Sequence, residues 1–328
     1  MKRKVIGMLC IVFILLMCSN VVKTHKLTQC NEVNSTEKNE DNTQIMENMD
    51  YLYNWNTNGC YLGLYGSEKE EEDFIRFNED GSLYLVVESG GNINRELGVQ
   101  IFLDYEQIPI IIDDNIVDVY YITTDQNFSE TKKIWFNAEL EDNSIHKVTI
   151  VLANYTDKNI GSNEDMRRTL SGDMTMFDTI LVNGNEVGSM CKTDYEYEIP
   201  IKIYEEQFEG LVFTQDITGK RKVIDRNIYA KGGENLELQY HIASSSDVND
   251  IIIIITIDMK QYDINSQKYI ICTNESSKVF WGKVNFKVPE EKGSYEIRAF
   301  AVPNPFGKIE NNKIQIPIGT FRFTLNVE

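Results

Sequence analysis

Leu97-Gly98-Val99-Gln100-Ile101-Phe102-Leu103-Asp104-Tyr105-Glu106-Gln107-Ile108-Pro109-Ile110 is the stretch that decides the fold. Leu97, Val99, Ile101 and Leu103 fall on one side of a two-residue period. Gly98, Gln100, Phe102 and Asp104 fall on the other. That period puts one face of an extended chain in a core and predicts a strand. The same alternation recurs at Ile134–Leu140, Val148–Leu152, Leu236–Ile242, Tyr295–Ala299 and Phe321–Val327. Alternating strands favour antiparallel pairing, because parallel strands are covered on both faces and read as continuous apolar runs. Ile251 to Ile255 is the exception, and it predicts a central strand buried on both sides. Helical pattern is confined to Ser162–Leu170. Turn chemistry is abundant, at Asn78-Glu79-Asp80-Gly81, Gly90-Gly91-Asn92, Asn183-Gly184, Gly232-Gly233 and Pro303-Asn304-Pro305. Many short strands with frequent turns predict an all-β chain built of β-sandwiches.

The stretch also has an echo. Ile101-Phe102-Leu103-Asp104-Tyr105-Glu106-Gln107-Ile108 aligns with Ile255-Thr256-Ile257-Asp258-Met259-Lys260-Gln261-Tyr262. Each reads as an apolar strand, then Asp, then Gln three residues on. A tryptophan-bearing strand follows in each case, at Trp135 and at Trp281, and then another alternating strand. The order predicts two related modules, with Asp104 matching Asp258 and Trp135 matching Trp281. The seam falls near Tyr195–Pro200, so the expected layout is 50–196 and 197–328. Asp and Gln at a strand end most simply satisfy backbone groups in a turn.

The N-terminus sets the compartment. Lys2-Arg3-Lys4 precede an apolar run from Val5 to Met17, the pattern of a secretory signal. Residues 1–22 are therefore expected to be a signal peptide or membrane anchor. Residues 23–49 are polar, cannot bury enough apolar surface to offset ordering entropy, and are expected to be a disordered tether. Four cysteines lie beyond Cys10 and Cys18, with no zinc-ligand spacing. Buried thiols are the simplest reading of them, and a Cys60–Cys191 bridge is the alternative.

Length and composition exclude other classes. A chain of 328 residues has room for about two domains. It is 42% hydrophobic and 25% charged, which excludes a wholly disordered chain and a polytopic membrane protein. Its net charge of −19 argues against nucleic acid as a partner. No P-loop, GxGxxG, HExxH or GxSxG pattern is present. His241 falls on the polar side of its strand and is expected in solvent. Catalytic residues, cofactors and metals are accordingly expected to be none, although paired carboxylates suited to polysaccharide hydrolysis have no sequence signature. Aromatic residues among polar neighbours are the candidate binding surface: Tyr53, Trp55, Tyr61 and Tyr65, with Phe306 displayed between Pro305 and Gly307.

Leu15-Leu16-Met17-Cys18-Ser19 resembles the bacterial lipobox, with Met17 where that motif usually has a small residue. With the polar tether and the strands that follow, the whole chain resembles cell-surface lipoproteins of Gram-positive bacteria that carry Ig-like modules. The resemblance implies lipidation at Cys18, with an N-terminal anchor or plain secretion as alternatives. It implies two tandem Ig-like antiparallel β-sandwich domains on the outer face of the cell membrane. Two β modules, a tether and missing catalytic motifs make a non-enzymatic protein that binds a partner protein or an envelope glycan the first expectation. An accessory subunit of a membrane transport or signalling complex is the second expectation, and the hydrolase the third.

Overall fold

A computed structural model describes residues 60–67, 74–89, 95–124, 128–157, 159–160, 174–184, 202–205, 210–215, 226–243, 250–273, 278–303 and 319–328. The chain divides after Asp50, and the described strands belong to the second unit, Tyr51–Glu328. The signal, the tether, Cys191 and the expected Ser162–Leu170 helix lie outside the described residues.

The first sandwich pairs two sheets. One holds β1 (Cys60–Tyr65), β3 (Leu83–Ser89), β9 (Phe128–Phe136), β6 (Ile110–Ile112) and β7 (Asn115–Val117), in that spatial order. The other runs β2 (Ile75–Arg76), β11 (Met174–Asn183), β10 (Ser144–Asn154), β4 (Arg95–Leu103) and β5 (Glu106–Ile108). β8 (Tyr120–Thr124) lies beside β4. The chain changes sheet at Pro109, between β5 and β6, where a missing N–H costs the ladders nothing.

The second sandwich repeats the plan. One sheet is β12 (Lys202–Glu205), β19 (Lys278–Lys287), β15 (Asn235–Ala243) and β13 (Gly210–Thr214). The other is β14 (Asn227–Ala230), β21 (Gly319–Val327), β20 (Gly293–Pro303), β16 (Asp250–Ile257) and β17 (Lys260–Gln261). β18 (Ile270–Thr273) lies beside β16. In each half the first, second and fifth strands of the Ig plan face the third, sixth and seventh. Pairing is antiparallel throughout, except that β2 and β14 run parallel to β11 and β21. The protein is therefore all-β, two Ig-like sandwiches in tandem.

The alternation does what its period predicts. Leu97, Val99, Ile101, Val148, Ile150 and Leu152 fill the first core with Leu83, Leu85 and Ile134. Leu236, Leu238, Ile242, Ile297, Phe323 and Leu325 fill the second. The isoleucine run is buried on both sides. Ile251, Ile253 and Ile255 enter the second core, while Ile252 and Ile254 enter a third cluster that joins the two halves. Cys60 and Cys272 are buried thiols, each in the core of its own half.

The duplication holds at Asp104 and fails at the tryptophans. Asp104 and Asp258 both open two-residue turns with positive φ, 48° and 46°. Each accepts a backbone bond from the strand in the sixth Ig position, β10 or β20: Lys147 N to Asp104 Oδ1 at 2.8 Å and Glu296 N to Asp258 Oδ1 at 2.7 Å. Trp135 lies one residue past Ile134, which faces Leu83, the first core residue of β3. Trp281 lies five residues before Phe286, which faces Leu236, the first core residue of β15. The two rings thus sit at opposite ends of their strands, and order along the chain alone had made them look equivalent.

Candidate functional site

The seam between the sandwiches is a buried cluster with members from both halves. Phe102, Tyr105, Val151, Ala153 and Met176 from one half pack on Ile252, Ile254, Met259, Phe300 and Val302 from the other. Phe102 meets Phe300 edge-on at 5.4 Å. Gly98 leaves room for the close approach here: a Cβ on it would lie 2.8 Å from Met259 Cε and 2.9 Å from Thr156 Cγ2, so those side chains would have to shift.

At one end of the seam the two repeated glutamines exchange backbone bonds. Gln107 N donates to Gln261 Oε1 and Gln261 N donates to Gln107 Oε1, both at 2.6 Å. Gln261 Nε2 reaches Tyr105 O at 2.8 Å, and Gln107 Nε2 reaches Met259 O at 3.1 Å. The glutamines satisfy backbone groups of a turn, as their place at a strand end predicts, and the turn is that of the other half. Each also bonds a carbonyl of its own half, Asp118 O at 3.0 Å and Lys268 O at 2.9 Å. The bonding across the seam also accounts for Tyr105 and Met259 at φ 71° and 66°. Left-handed backbone costs about 1–2 kcal/mol for a bulky residue. Here both side chains are buried in the seam and both carbonyls are bonded across it. Gln107→Ala and Gln261→Ala should each cost about 1–3 kcal/mol of unfolding free energy, since each strands buried partners. Urea denaturation of the singles and the double should give a coupling of about 0.5–3 kcal/mol, where a coupling near zero would show that the exchange is incidental.

A second constellation has the residue types of a catalytic triad with a different pattern of burial. His146 Nδ1 lies 2.7 Å from Asp104 Oδ2, and its Nε2 lies 2.6 Å from Ser144 Oγ. Sequence reasoning missed this group, because Ser144 and His146 sit two apart on one strand and Asp104 comes from a distant turn. The order of burial is the reverse of a catalytic triad, in which the serine meets substrate and the aspartate is buried. Here Ser144 and His146 are buried, and the Asp104 side chain is 32% exposed. Ser144 Oγ also donates to Glu141 O at 2.5 Å. The other half explains the arrangement. Tyr295 occupies the position of His146, and its hydroxyl donates to Glu291 O at 2.8 Å. That is the tyrosine corner of Ig-like folds. In the first half imidazole and serine hydroxyl together span the distance that one phenol spans in the second.

The charged groups of the seam form two buried pairs. Glu296 Oε2 accepts from Arg322 Nη2 at 3.0 Å and from Ile160 N at 2.6 Å, and Oε1 accepts from Thr324 Oγ1 at 3.1 Å. Arg322 continues to Asn154 O and Tyr155 O of the first half. Burial pushes the Glu296 carboxyl up, against the pull of Arg322. In the first half Lys147 Nζ lies 3.7 Å from Asp178 Oδ2, with both side chains 1% exposed. Burial likewise pushes the Asp178 carboxyl up, and Lys147 opposes it.

The sequence candidates fall as follows. Tyr53, Trp55, Phe306 and Cys18 lie outside the described residues. Tyr61 and Tyr65 are 2% and 6% exposed, with their hydroxyls in contact, so neither offers its ring to solvent. His241, expected in solvent, is buried and stacks on Trp281 at 5.9 Å and 6°. Trp135 is half-buried, donates to Asp80 O at 3.3 Å, and carries Lys133 Nζ 5.4 Å from its ring. Beside it, Ile111 faces both Trp135 and Ile116. Among the described residues no group of three or more His, Cys, Asp or Glu could hold a metal ion. Asp113 and Asp80 are instead paired with Lys132 and Lys133.

No protein-family model matches the sequence, and no curated protein matches it. Solved structures similar to it include the CARDB domain of PF1109 from Pyrococcus furiosus. It is 13% identical over 42% of this chain and 100% of that one, with a TM-score of 0.25. The YadV chaperone is 12% identical over 80% and 99%, at 0.23. The collagen adhesin of S. aureus is 13% identical over 81% and 91%, at 0.20. Scores this low carry no argument about function, and the Ig-like assignment stands on the strand order of the two halves.

Proposed function

We propose that the chain is a non-enzymatic surface protein that binds a partner protein or an envelope glycan through a locked pair of Ig-like sandwiches. In this reading the pair is held on the outer face of the membrane by Cys18 or the N-terminal apolar run, with residues 23–49 as spacer. The seam is the observation that carries it. One face of each sandwich is consumed by packing on the other, which fixes the two as one body and leaves the opposite sheets outward. On the first of these sheets Trp135, Ile111 and Ile116 form an apolar row, with Ile116 63% exposed. The Asp104–His146–Ser144 group is accounted for as a corner and gives no support to a hydrolase.

Full-length protein should be retained by intact cells or by a panel of envelope glycans without releasing product. Ser144→Ala should lower stability by about 0.5–1.5 kcal/mol, the loss of one hydrogen bond, and leave retention unchanged. Product release that disappears in Ser144→Ala would overturn the reading and restore the hydrolase.

A further inference from the structure

Among the described residues the second sandwich has no counterpart of the hairpin of β6 and β7. There, β12 lies beside β19 in the place that β6 takes beside β9. Its loop is Asp113-Asp114, with φ of 48° and 62°, a two-residue turn of the I′ kind. Such a turn makes its flanking residues, Ile112 and Asn115, the hydrogen-bonded pair. Ile110 and Val117 are then the next bonded pair, and Ile111 and Ile116 lie opposite each other without exchanging bonds. The backbone N–H and C=O of Ile116 therefore point away from β6. Among the described residues no strand lies beyond β7. Ile116 is also a large apolar residue left 63% exposed. One residue thus presents a donor, an acceptor and an apolar side chain at a sheet edge, the three things that strand addition uses.

The charges choose the occupant. Asp114 lies before Ile116 and Asp118 after it, both exposed. Lys260 approaches Asp118 at 3.4 Å through solvent, and Lys132 is taken by Asp113 and Glu130. A second copy pairing edge to edge would bring these aspartates against each other, on a chain of net charge −19. We infer that β7 is a docking edge for an extended, cationic segment of a partner protein, of the pattern basic-x-apolar-x-basic. In it the apolar residue lies opposite Ile116 and extends the Trp135–Ile111–Ile116 row. This rests on the binding reading above and narrows its partner to a protein.

The test uses the full chain and two labelled synthetic peptides, Thr-Lys-Thr-Val-Thr-Lys-Thr and the same peptide with Glu for Lys, read by fluorescence anisotropy. The lysine peptide should bind about tenfold or more tighter than the glutamate peptide. Ile116→Pro removes the outward N–H and should abolish binding. Asp114→Lys with Asp118→Lys leaves the backbone edge intact and should reverse the peptide preference, so a folding failure of the proline variant does not decide the matter. Equal binding of both peptides, or a preference that survives the double charge reversal, overturns the assignment. So does a dimer in sedimentation that Ile116→Pro dissolves, which would place a second copy on the edge. If neither peptide binds while cells still retain the protein, β7 is the wrong surface and the binding reading survives. Loss of retention as well would remove both.

Discussion

Glu296→Ala should cost about 3–5 kcal/mol of unfolding free energy, and Arg322→Ala about as much. Each leaves its partner as a buried, uncompensated charge. The pair is 2–3% exposed, and its hydrogen bonds reach both halves of the molecule. Glu296→Ala also leaves Ile160 N–H without its carboxylate, and Arg322→Ala leaves Asn154 O and Tyr155 O without the guanidinium. The cost should therefore appear as loosening of the seam as well as loss of stability. Amide hydrogen exchange should rise at Ile160 in the first half when the change is made in the second. The pH dependence has a definite sign. The folded carboxyl of Glu296 is raised above its ordinary value of 4.5. Its contribution is then fully present below that value and is lost as pH rises through the folded one. Glu296→Gln, which keeps the shape and removes the titration, should flatten the stability profile over that window. A cost below about 1 kcal/mol for both truncations, typical of a surface pair, would show that water reaches the site.

Much of the fold was legible because a two-residue period is a local property. Leu97 to Leu103, Leu236 to Ile242 and the isoleucine run reach their predicted surroundings without help from distant sequence. The repeat Asp-x-x-Gln was legible too, since both aspartates and both glutamines occupy equivalent places. What the glutamines do was not. Their partners lie 154 residues away, and nothing in a single turn announces that its backbone will be bonded by another. His241 was placed in solvent because its strand alternates. Alternation names the face of a sheet, and whether that face stays wet depends on what comes to lie on it. The tryptophans misled for a related reason. Each lies on a strand that comes in the same order along the chain, but register is fixed by the core residues, and Ile134 and Phe286 set it differently for the two rings. The β7 edge was hidden in Asn115-Ile116-Val117, three residues too short for any period to show.

The two buried pairs occupy equivalent positions with their charges exchanged, and this yields the second large effect. Lys147 stands where Glu296 does, since each gives its N–H to the repeated aspartate. Thr149 faces Asp178, and Arg298 faces Arg322, so Asp178 stands where Arg322 does. The resemblance ends with the hydrogen bonds. Lys147 Nζ, both Asp178 oxygens and Thr149 Oγ1 have no hydrogen-bond partner among the described residues. At 3.7 Å the ion pair has Coulomb attraction and little else to offset the loss of hydration. Lys147→Met alone, or Asp178→Leu alone, should therefore cost about 3–5 kcal/mol, because either leaves one buried charge. The double variant Lys147→Met with Asp178→Leu should lie between no change and a gain of about 4 kcal/mol, the range seen when buried pairs become well-packed apolar groups. It should also lose one source of pH dependence. The Asp178 carboxyl is raised from 3.8, so the wild type should lose stability as pH rises through its folded value and the double variant should lose less. Urea denaturation at two pH values measures both effects. A double variant as unstable as the worse single would mean that the pair is held by hydrogen bonds like those of Glu296. The exchange of charges between the halves would then be a matter of stability. A stable double variant would show that the exchange of charges is not kept for stability.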